Sequence, residues 1–321
     1  MNKVLVILGS TATGKTDLAL QLAGKFQGEL ISCDSRQVYK DLDLGTGKLP
    51  GGKVSVQKGI GFWILDGIKI WMYDVINPKR QYTVFNYVKD ATLAIEEIQK
   101  KGKLPIIVGG TGLYLKGLLY GFSNLEIPLD KKLRSDLSKL SLNELQKKLQ
   151  NLSIKKWESL NLSDQKNPRR LVRAIELEIS PRRSPSDHLR GGMATDNILK
   201  IGLNAPKEVL YQRIDERVIS RIEQGMVNEA GKLYKDGLSL KRMRQLGLEY
   251  GVLADYLEKK IDEDDLGQIM QRKIHNYAKR QITWFKKEQD VNWFDITEEK
   301  YYNELEKLVA KWYYSSDASQ D

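Results

Sequence analysis

The chain of 321 residues holds one cysteine, Cys33, and two histidines. A lone cysteine excludes an internal disulfide, and so few thiol and imidazole ligands speak against a zinc site, so a metal here should be Mg²⁺ on oxygen ligands. No apolar stretch approaches the roughly 20 residues that span a bilayer, and the first apolar run shows no cleavage site behind it. The expectation is a cytoplasmic protein with no membrane partner. Between Phe122 and Arg190 glycine is absent, although 26 glycines are spread over the rest. That stretch is rich in Leu, Lys and Glu at helical spacing (Leu133, Leu137, Leu140; Leu142, Leu145, Leu149), as a helical module would be. Internal repeats are absent as well.

Acidic residues are outnumbered, 42 Asp and Glu against 52 Lys and Arg, for a formal charge of +10. Such an excess suits a polyanionic partner, nucleic acid before an anionic membrane surface. Many solvated proteins are equally basic, so the position of the charge decides. The apolar fraction of 41% is ordinary for a globular protein.

Gly9-Ser10-Thr11-Ala12-Thr13-Gly14-Lys15-Thr16 follows directly on the apolar run Val4-Leu5-Val6-Ile7-Leu8. The pattern G-x-x-x-x-G-K-[ST] alone arises by chance in roughly one chain of this length in a hundred. Its placement is the stronger signal. Leu18, Ala19, Leu22, Ala23 and Phe26 behind it have helical spacing, so strand, loop and helix come in the order that phosphate binding needs. In that order backbone N–H groups and a helix N-terminus converge on one anion, Lys15 adds a point charge, and Thr16 offers a hydroxyl to Mg²⁺. The loop speaks of a diphosphate or triphosphate without saying which molecule carries it, and a glycine-rich turn that binds nothing is the competing reading.

Further apolar runs that read as buried parallel strands lie at 30–33, 104–108 and 198–203, with helical patterns between them, the clearest at Val84, Val88, Ala91, Ile95 and Ile98. The expected fold is α/β: a doubly wound parallel sheet of P-loop type with an inserted helical module and a helical C-terminal part. Its parts are placed at 1–121, 122–197 and 198–321. Residues 51–76 depart from this pattern. They are β-rich, and Asp66-Gly67 between Ile64-Leu65 and Ile68-Lys69-Ile70 signals a hairpin. The basic stretch Ser180-Pro181-Arg182-Arg183-Ser184-Pro185 reads as a mobile return toward Gly191-Gly192, nearly everything from 207 onward reads as helical, and the last eight or so residues as frayed.

Asp34 ends the second apolar run, at the sheet edge where the phosphate loop lies. A carboxylate there takes a proton from a nucleophile or holds Mg²⁺ through water, unless it merely caps a turn. Ser35, Arg36 and Gln37 follow, and Gln pairs bidentately with an adenine edge. Gly109-Gly110-Thr111-Gly112-Leu113-Tyr114 leaves the third run with no acidic residue at its end, so a Walker B carboxylate is missing there. That absence argues against a motor ATPase, and no Asn-Lys-x-Asp of guanine switches occurs. Arg213, Arg217 and Arg221 share one helix face, where like charges repel unless Asp215, Glu216 and Glu223 or a bound anion compensates. Basic residues also cluster at Arg169-Arg170 with Arg173, at Lys241-Arg242 with Arg244, and at Lys279-Arg280 with Lys286-Lys287. In the last cluster Ile274, Ala278, Ile282 and Phe285 form the apolar stripe, and Tyr277 and Trp284 read as core rather than as stacking platforms. Charge on three separate segments suits a folded RNA gripped by its backbone.

These motifs resemble the tRNA dimethylallyltransferases (tRNA isopentenyltransferases) over nearly the whole chain. Gly9 to Thr16 is similar to that family's G-P-T-A-S-G-K-T, Asp34-Ser35-Arg36-Gln37-Val38-Tyr39 to D-S-x-Q-V-Y, and Gly109 to Tyr114 to G-G-T-G-L-Y. Asn167 to Glu176 resembles N-D-P-x-R-L-x-R-A-L-E, and Tyr277 to Phe285 resembles Y-A-K-R-Q-x-T-W-F. The resemblance implies transfer of a dimethylallyl group from its diphosphate to N6 of adenosine 37 in the tRNA anticodon stem-loop, by a monomer using Mg²⁺. It makes Asp34 the general base and Arg217 the steadying cation on departing pyrophosphate. Gly9, Thr11, Ala12, Thr13, Gly14, Lys15 and Thr16 would bind the diphosphate, with Thr16 on the metal. Thr111 would lie in the same channel and Gln37 would read a neighbouring base. Asp34, Ser35, Arg36, Gln37, Thr111, Arg169, Arg170, Arg173, Arg242, Arg244, Gly247, Tyr277, Lys279 and Arg280 would touch tRNA, which the 122–197 module would help embrace.

The chain departs from that pattern at Ser10 and Thr13 in the loop, at Leu248 where tyrosine is usual, at Trp71-Met72 where a histidine pair is common, and in the length of the 51–75 segment. A P-loop kinase with Asp34 as base is the runner-up. A non-catalytic RNA-binding protein and a prenyltransferase acting on a mononucleotide stand behind it. The insertion and the basic C-terminal helices favour tRNA.

Overall fold

A computed structural model describes residues 3–50, 54–122, 127, 129–180 and 197–315. The basic stretch from Pro181 to Pro185, the pair Gly191-Gly192, the opening Gly51-Gly52 of the β-rich segment and residues 316–321 lie outside that description. The chain divides into two compact units, one of residues 1–119 and 193–321, the other Tyr120–Gly192.

The first unit is built on eight strands: β1 (Val4–Gly9), β2 (Gly28–Ser32), β3 (Val56–Gly59), β4 (Phe62–Leu65), β5 (Ile68–Trp71), β6 (Leu104–Gly109), β7 (Ile198–Asn204) and β8 (Val291–Asp295). They form one sheet in the order β3-β4-β5-β2-β6-β1-β7-β8. The strands from β5 to β8 run parallel, with Val6 level with Ile107 on one side and with Lys200 on the other. Because side chains alternate across a strand, Val4, Val6 and Leu8 enter one core while Leu5 and Ile7 enter another. Both faces are buried, which is why β1 reads as an unbroken apolar run, and each such Leu or Ile contributes about 1.5–3 kcal/mol.

On the face of Leu5 and Ile7 lie α1 (Lys15–Lys25), through Leu18 and Leu22, and the terminal helix Tyr301–Tyr314, through Leu305 and Val309. The opposite face is covered by α2 (Val84–Lys100), α3 (Gly112–Tyr120) and the C-terminal helices. A capping box at Thr83 and Asn86 starts α2 where its apolar stripe begins. Asp66 and Gly67 both take positive φ, +48° and +79°, the two-residue turn that joins β4 to β5. That hairpin and β3 extend the parallel sheet with an antiparallel edge.

One strand interrupts the helices that follow 207. Val291–Asp295 pairs in parallel with β7, and Trp293 lies over Gly202, where a Cβ would come within 2.5 Å of its ring. Five residues with a half-exposed tryptophan carry too little alternation to announce a strand; the open edge of β7 recruits them.

The second unit contains α4 (Lys131–Leu137), α5 (Leu142–Leu152), α6 (Ile154–Glu158), α7 (Leu162–Gln165) and α8 (Pro168–Ile179). Leu137, Leu145, Leu149, Leu171, Ala174 and Ile175 form its core. Ser141 and Glu144 form a capping box on α5, and Asn167 caps α8 with Pro168 in its first turn. The remaining helices belong to the first unit: α9 (Lys207–Glu223), α10 (Met226–Lys235), α11 (Leu240–Leu246), α12 (Leu248–Leu257), α13 (Glu263–Phe285) and the terminal α14.

Candidate active site

The phosphate loop is shaped by backbone that few side chains tolerate. Gly9 has φ +150° and Gly14 +77°, and a Cβ on Gly9 would run into the carbonyl of Leu203. Ala12 also takes positive φ, +65°, a conformation that is costly for an L-residue and is retained at the loop's tip. Thr13 turns inward and donates to the Ser10 carbonyl at 2.9 Å, bracing the loop from behind. No side chain caps α1, so its first N–H groups remain for a ligand.

Lys15 donates to the Ser10 carbonyl. Burial, reinforced by Arg217 and opposed by Asp34, pulls its ammonium down to about 7. The nearby cationic charge comes from α9, where Arg213, Arg217 and Arg221 line the same cavity as Thr11, Lys15 and Thr16, a space of about 690 Å³. Burial also lowers both Arg217 and Arg221, the latter to about 9 with Arg217 adding to the effect. Arg221 lies 3.8 Å from Glu249, whose carboxyl is pushed up by burial. Six cations (Lys15, Arg36, Arg213, Arg217, Arg221, Arg280) against four carboxylates (Asp17, Asp34, Asp43, Glu249) leave the lining positive.

Asp34 stands two residues beyond β2 on the wall of that cavity. Its Oδ1 accepts from the Arg36 N–H at 2.7 Å, and among the described residues Oδ2 has no hydrogen-bond partner. The turn that presents it is tied to the glycine-rich exit of β6. Thr111 donates its N–H to the Cys33 carbonyl at 3.1 Å and accepts at its hydroxyl from the Ser35 N–H at 3.1 Å. Gly109 permits this, since a Cβ there would strike the Cys33 carbonyl. Close packing by glycine and the placing of the Asp34 turn are here one feature.

Gln281, buried on α13, joins the two turns. Its Oε1 accepts from the Thr11 N–H at 2.8 Å and its Nε2 donates to the Gly110 carbonyl at 2.9 Å. Tyr277, one turn earlier on the same helix, lines the cavity, and burial pushes its phenol up. Leu44, Leu49, Leu248 and Ile274 supply apolar lining beside these polar groups.

Of the residues singled out from sequence, Thr11, Ala12, Gly14, Lys15, Thr16, Asp34, Ser35, Arg36, Gln37, Arg217, Gly247, Tyr277 and Arg280 meet in one cavity. Gly9, Thr13 and Thr111 are not among its lining residues. Gln37 lines it with its amide engaged inside the chain: Oε1 accepts from Ser32 at 2.6 Å, and Nε2 donates to Gly47 at 3.2 Å. Arg242 donates to the carbonyls of Pro78 and Arg80, and Arg244 pairs with Asp255 and Glu258. Lys279 is exposed, 5.9 Å from the Tyr211 ring. In the second unit Arg170 pairs with Asp164, and Arg173 with Arg134 flanks the fully buried Glu176, while Arg169 is exposed. Trp284, read as core, is 39% exposed against Gly112, and Gln281 rather than Ile282 takes the buried place on α13. Gln281 and Glu249 were missed as site residues. The signal for Gln281 was a polar residue inside an apolar stripe.

The fold and this cavity define a P-loop α/β protein with a positively lined cavity beside a carboxylate that keeps one oxygen without a partner among the described residues. The chain belongs to the IPP transferase family: the IPP transferase model matches residues 37–288 and an isopentenyl transferase model matches residues 2–66. It is 39% identical over 290 residues to the tRNA dimethylallyltransferase of Endomicrobium trichonymphae, covering 90% of this chain and 93% of that one. Among solved structures it is similar to the full-length tRNA isopentenylpyrophosphate transferase of Bacillus halodurans, at 31% identity and TM-score 0.69 over 98% of this chain and 97% of that one. It is also similar to a eukaryotic dimethylallyltransferase described as acting on tRNA, at 26% identity and TM-score 0.77, covering 97% of this chain and 78% of that one.

Proposed function

We propose that the protein transfers the dimethylallyl group of dimethylallyl diphosphate to N6 of adenosine 37 in tRNA, forming N6-dimethylallyladenosine. The N6 lone pair forms a bond to C1 of the allyl group, the C1–O bond breaks with its electrons leaving on pyrophosphate, and the N6 proton passes to Asp34. What carries this reading is the free Oδ2 of Asp34 on the wall of the cavity that Lys15, Arg217 and the uncapped start of α1 make positive. The names of full-length relatives support it.

Adenine N6 is a weak nucleophile, so the rate depends on positioning, on proton removal and on stabilising charge as it develops on the leaving group. Lys15, Arg217 and the loop N–H groups serve the last of these, and the target base leaves its stack to reach them. Mg²⁺ fits the donor set. No cluster of three His, Cys, Asp or Glu exists among the described residues, whereas Thr16 lines the cavity, as suits an ion that takes its other ligands from phosphate and water. Thr16 would hold the ion, which would supply neutralising charge to the diphosphate oxygens. Arg169 and the basic face of α13 would grip the anticodon stem-loop, and the protein would work in the cytoplasm as a monomer. No helix among the described residues is long and apolar enough to cross a membrane.

The test is incubation with Mg²⁺, labelled dimethylallyl diphosphate and unmodified tRNA carrying adenosine 37, followed by mass spectrometry of the nucleosides. Label at adenosine 37 is the expected result. Transfer of the γ-phosphate of ATP to a small hydroxyl substrate with no prenyl transfer overturns the reading in favour of a kinase.

A further inference from the structure

The loop Leu42–Lys48 runs along the cavity and contributes no reacting group, yet it is held with unusual density. Glu229 on α10 accepts from three consecutive backbone N–H groups, Asp43 at 2.9 Å, Leu44 at 2.8 Å and Gly45 at 3.1 Å, and from the Tyr250 hydroxyl at 2.5 Å. The Tyr250 ring lies against Gly45, where a Cβ would approach it to 2.6 Å. At the loop's other end the fully buried Lys48 donates to Tyr39 O, Asp43 and Asp74 at 2.7, 2.8 and 2.5 Å. Trp63 donates to the second oxygen of Asp74 at 2.7 Å. The β-rich segment singled out in the sequence thereby braces the site, since its hairpin supplies Trp63, which fixes the anchor of Lys48.

Between these two clamps sits Gly47, with φ +61°. A Cβ on Gly47 would run into the guanidinium groups of both Arg217 and Arg221, so those groups lie directly on its backbone. Arg221 also donates to Gly45 O at 3.4 Å. The loop is the floor on which the two arginines of the anion site rest.

We propose that Glu229 is a positioning residue of the anion site, which sets Arg217 and Arg221 by holding the backbone amides of Asp43 to Gly45. Replacing the carboxylate by an amide turns an –NH₂ toward N–H donors and leaves part of the row unpaired, which lets the floor shift. Misplacement of this kind, remote from the reacting atoms, is known to cost large factors in rate. Lys48 acts at the other end in the same sense. This rests on the transfer reading for its consequence in turnover, while the geometric claim is tested separately.

The test compares the full-length protein with Glu229→Gln by two readouts. Calorimetric binding of inorganic pyrophosphate should weaken by at least about tenfold, with tRNA affinity within about twofold. Phenylglyoxal, followed by peptide mass spectrometry, should modify Arg217 and Arg221 faster in the variant and leave the rate at exposed Arg169 unchanged. If Glu229→Gln does not fold, Tyr250→Phe removes one bond to the carboxylate, keeps the ring on Gly45, and should move both readouts the same way by about threefold. A folded variant with unaltered pyrophosphate affinity and unaltered arginine reactivity overturns the proposal, even if its melting temperature has fallen. A parent protein that binds no pyrophosphate refutes the transfer reading, and the arginine modification then decides the positioning role alone.

Discussion

Lys15 is the residue at which charge and burial meet on the cavity wall. With its pKa drawn down from 10.5 to about 7, the folded protein lacks, between those values, a proton that the unfolded chain holds. Its burial therefore costs stability below about pH 7, and the cost is relieved as pH rises. A bound diphosphate restores the favourable charge. Binding of pyrophosphate at about pH 8 should accordingly take up a proton, seen as a dependence of the binding heat on the ionisation enthalpy of the buffer, and Lys15→Met should remove that dependence. Asp34 allows a separate test: Asp34→Ala should abolish transfer and leave tRNA affinity within a few fold, since among the described residues its Oδ2 holds no other group in place. Near-normal turnover in that variant would remove its role as base.

At the scale of elements, the ends of β2, β6 and β1 and one face of α13 are pressed together by small residues. Gly109 lies against backbone, and Gly109→Ala forces a Cβ against the Cys33 carbonyl. The expected loss is about 1–3 kcal/mol in urea unfolding, with turnover lowered further because the strain falls on the turn that bears Asp34. A fully active, equally stable variant would show that this turn has room to move. Strand-loop-helix order, the Asp66-Gly67 hairpin and the arginine face of α9 were legible in sequence, because each is set by residues within one turn or one strand of each other. The strand β8 was not, because its partner β7 lies some 90 residues earlier and its own five residues carry no alternating pattern.

At the scale of the molecule, the formal charge of +10 is spread unevenly in what it has left to offer. Arg242 and Arg244 spend their guanidinium groups on carbonyls and carboxylates within the chain, whereas Arg169 is exposed. We expect tRNA affinity to fall steeply between about 50 and 200 mM salt, and Arg169→Ala to reduce the slope of log K against log salt by about one. Arg244→Ala should leave the slope nearly unchanged. A flat salt dependence in the parent would detach the basic segments from RNA binding altogether.

Local sequence sufficed for the phosphate loop and its helix, the carboxylate at the end of β2, the glycine-rich exit of β6, and the row of arginines. These are short-range features, specified by backbone sterics and by the period of apolar residues. Packing over long distances in the chain settled the rest: which cations remain free, that Gln281 ties the loop to the β6 turn, and that a carboxylate 186 positions away from Asp43 holds the floor of the anion site. Such pairings arise when packed helices bring buried polar groups within hydrogen-bond reach, where each must find a partner, and no local period in the chain encodes which partner that is.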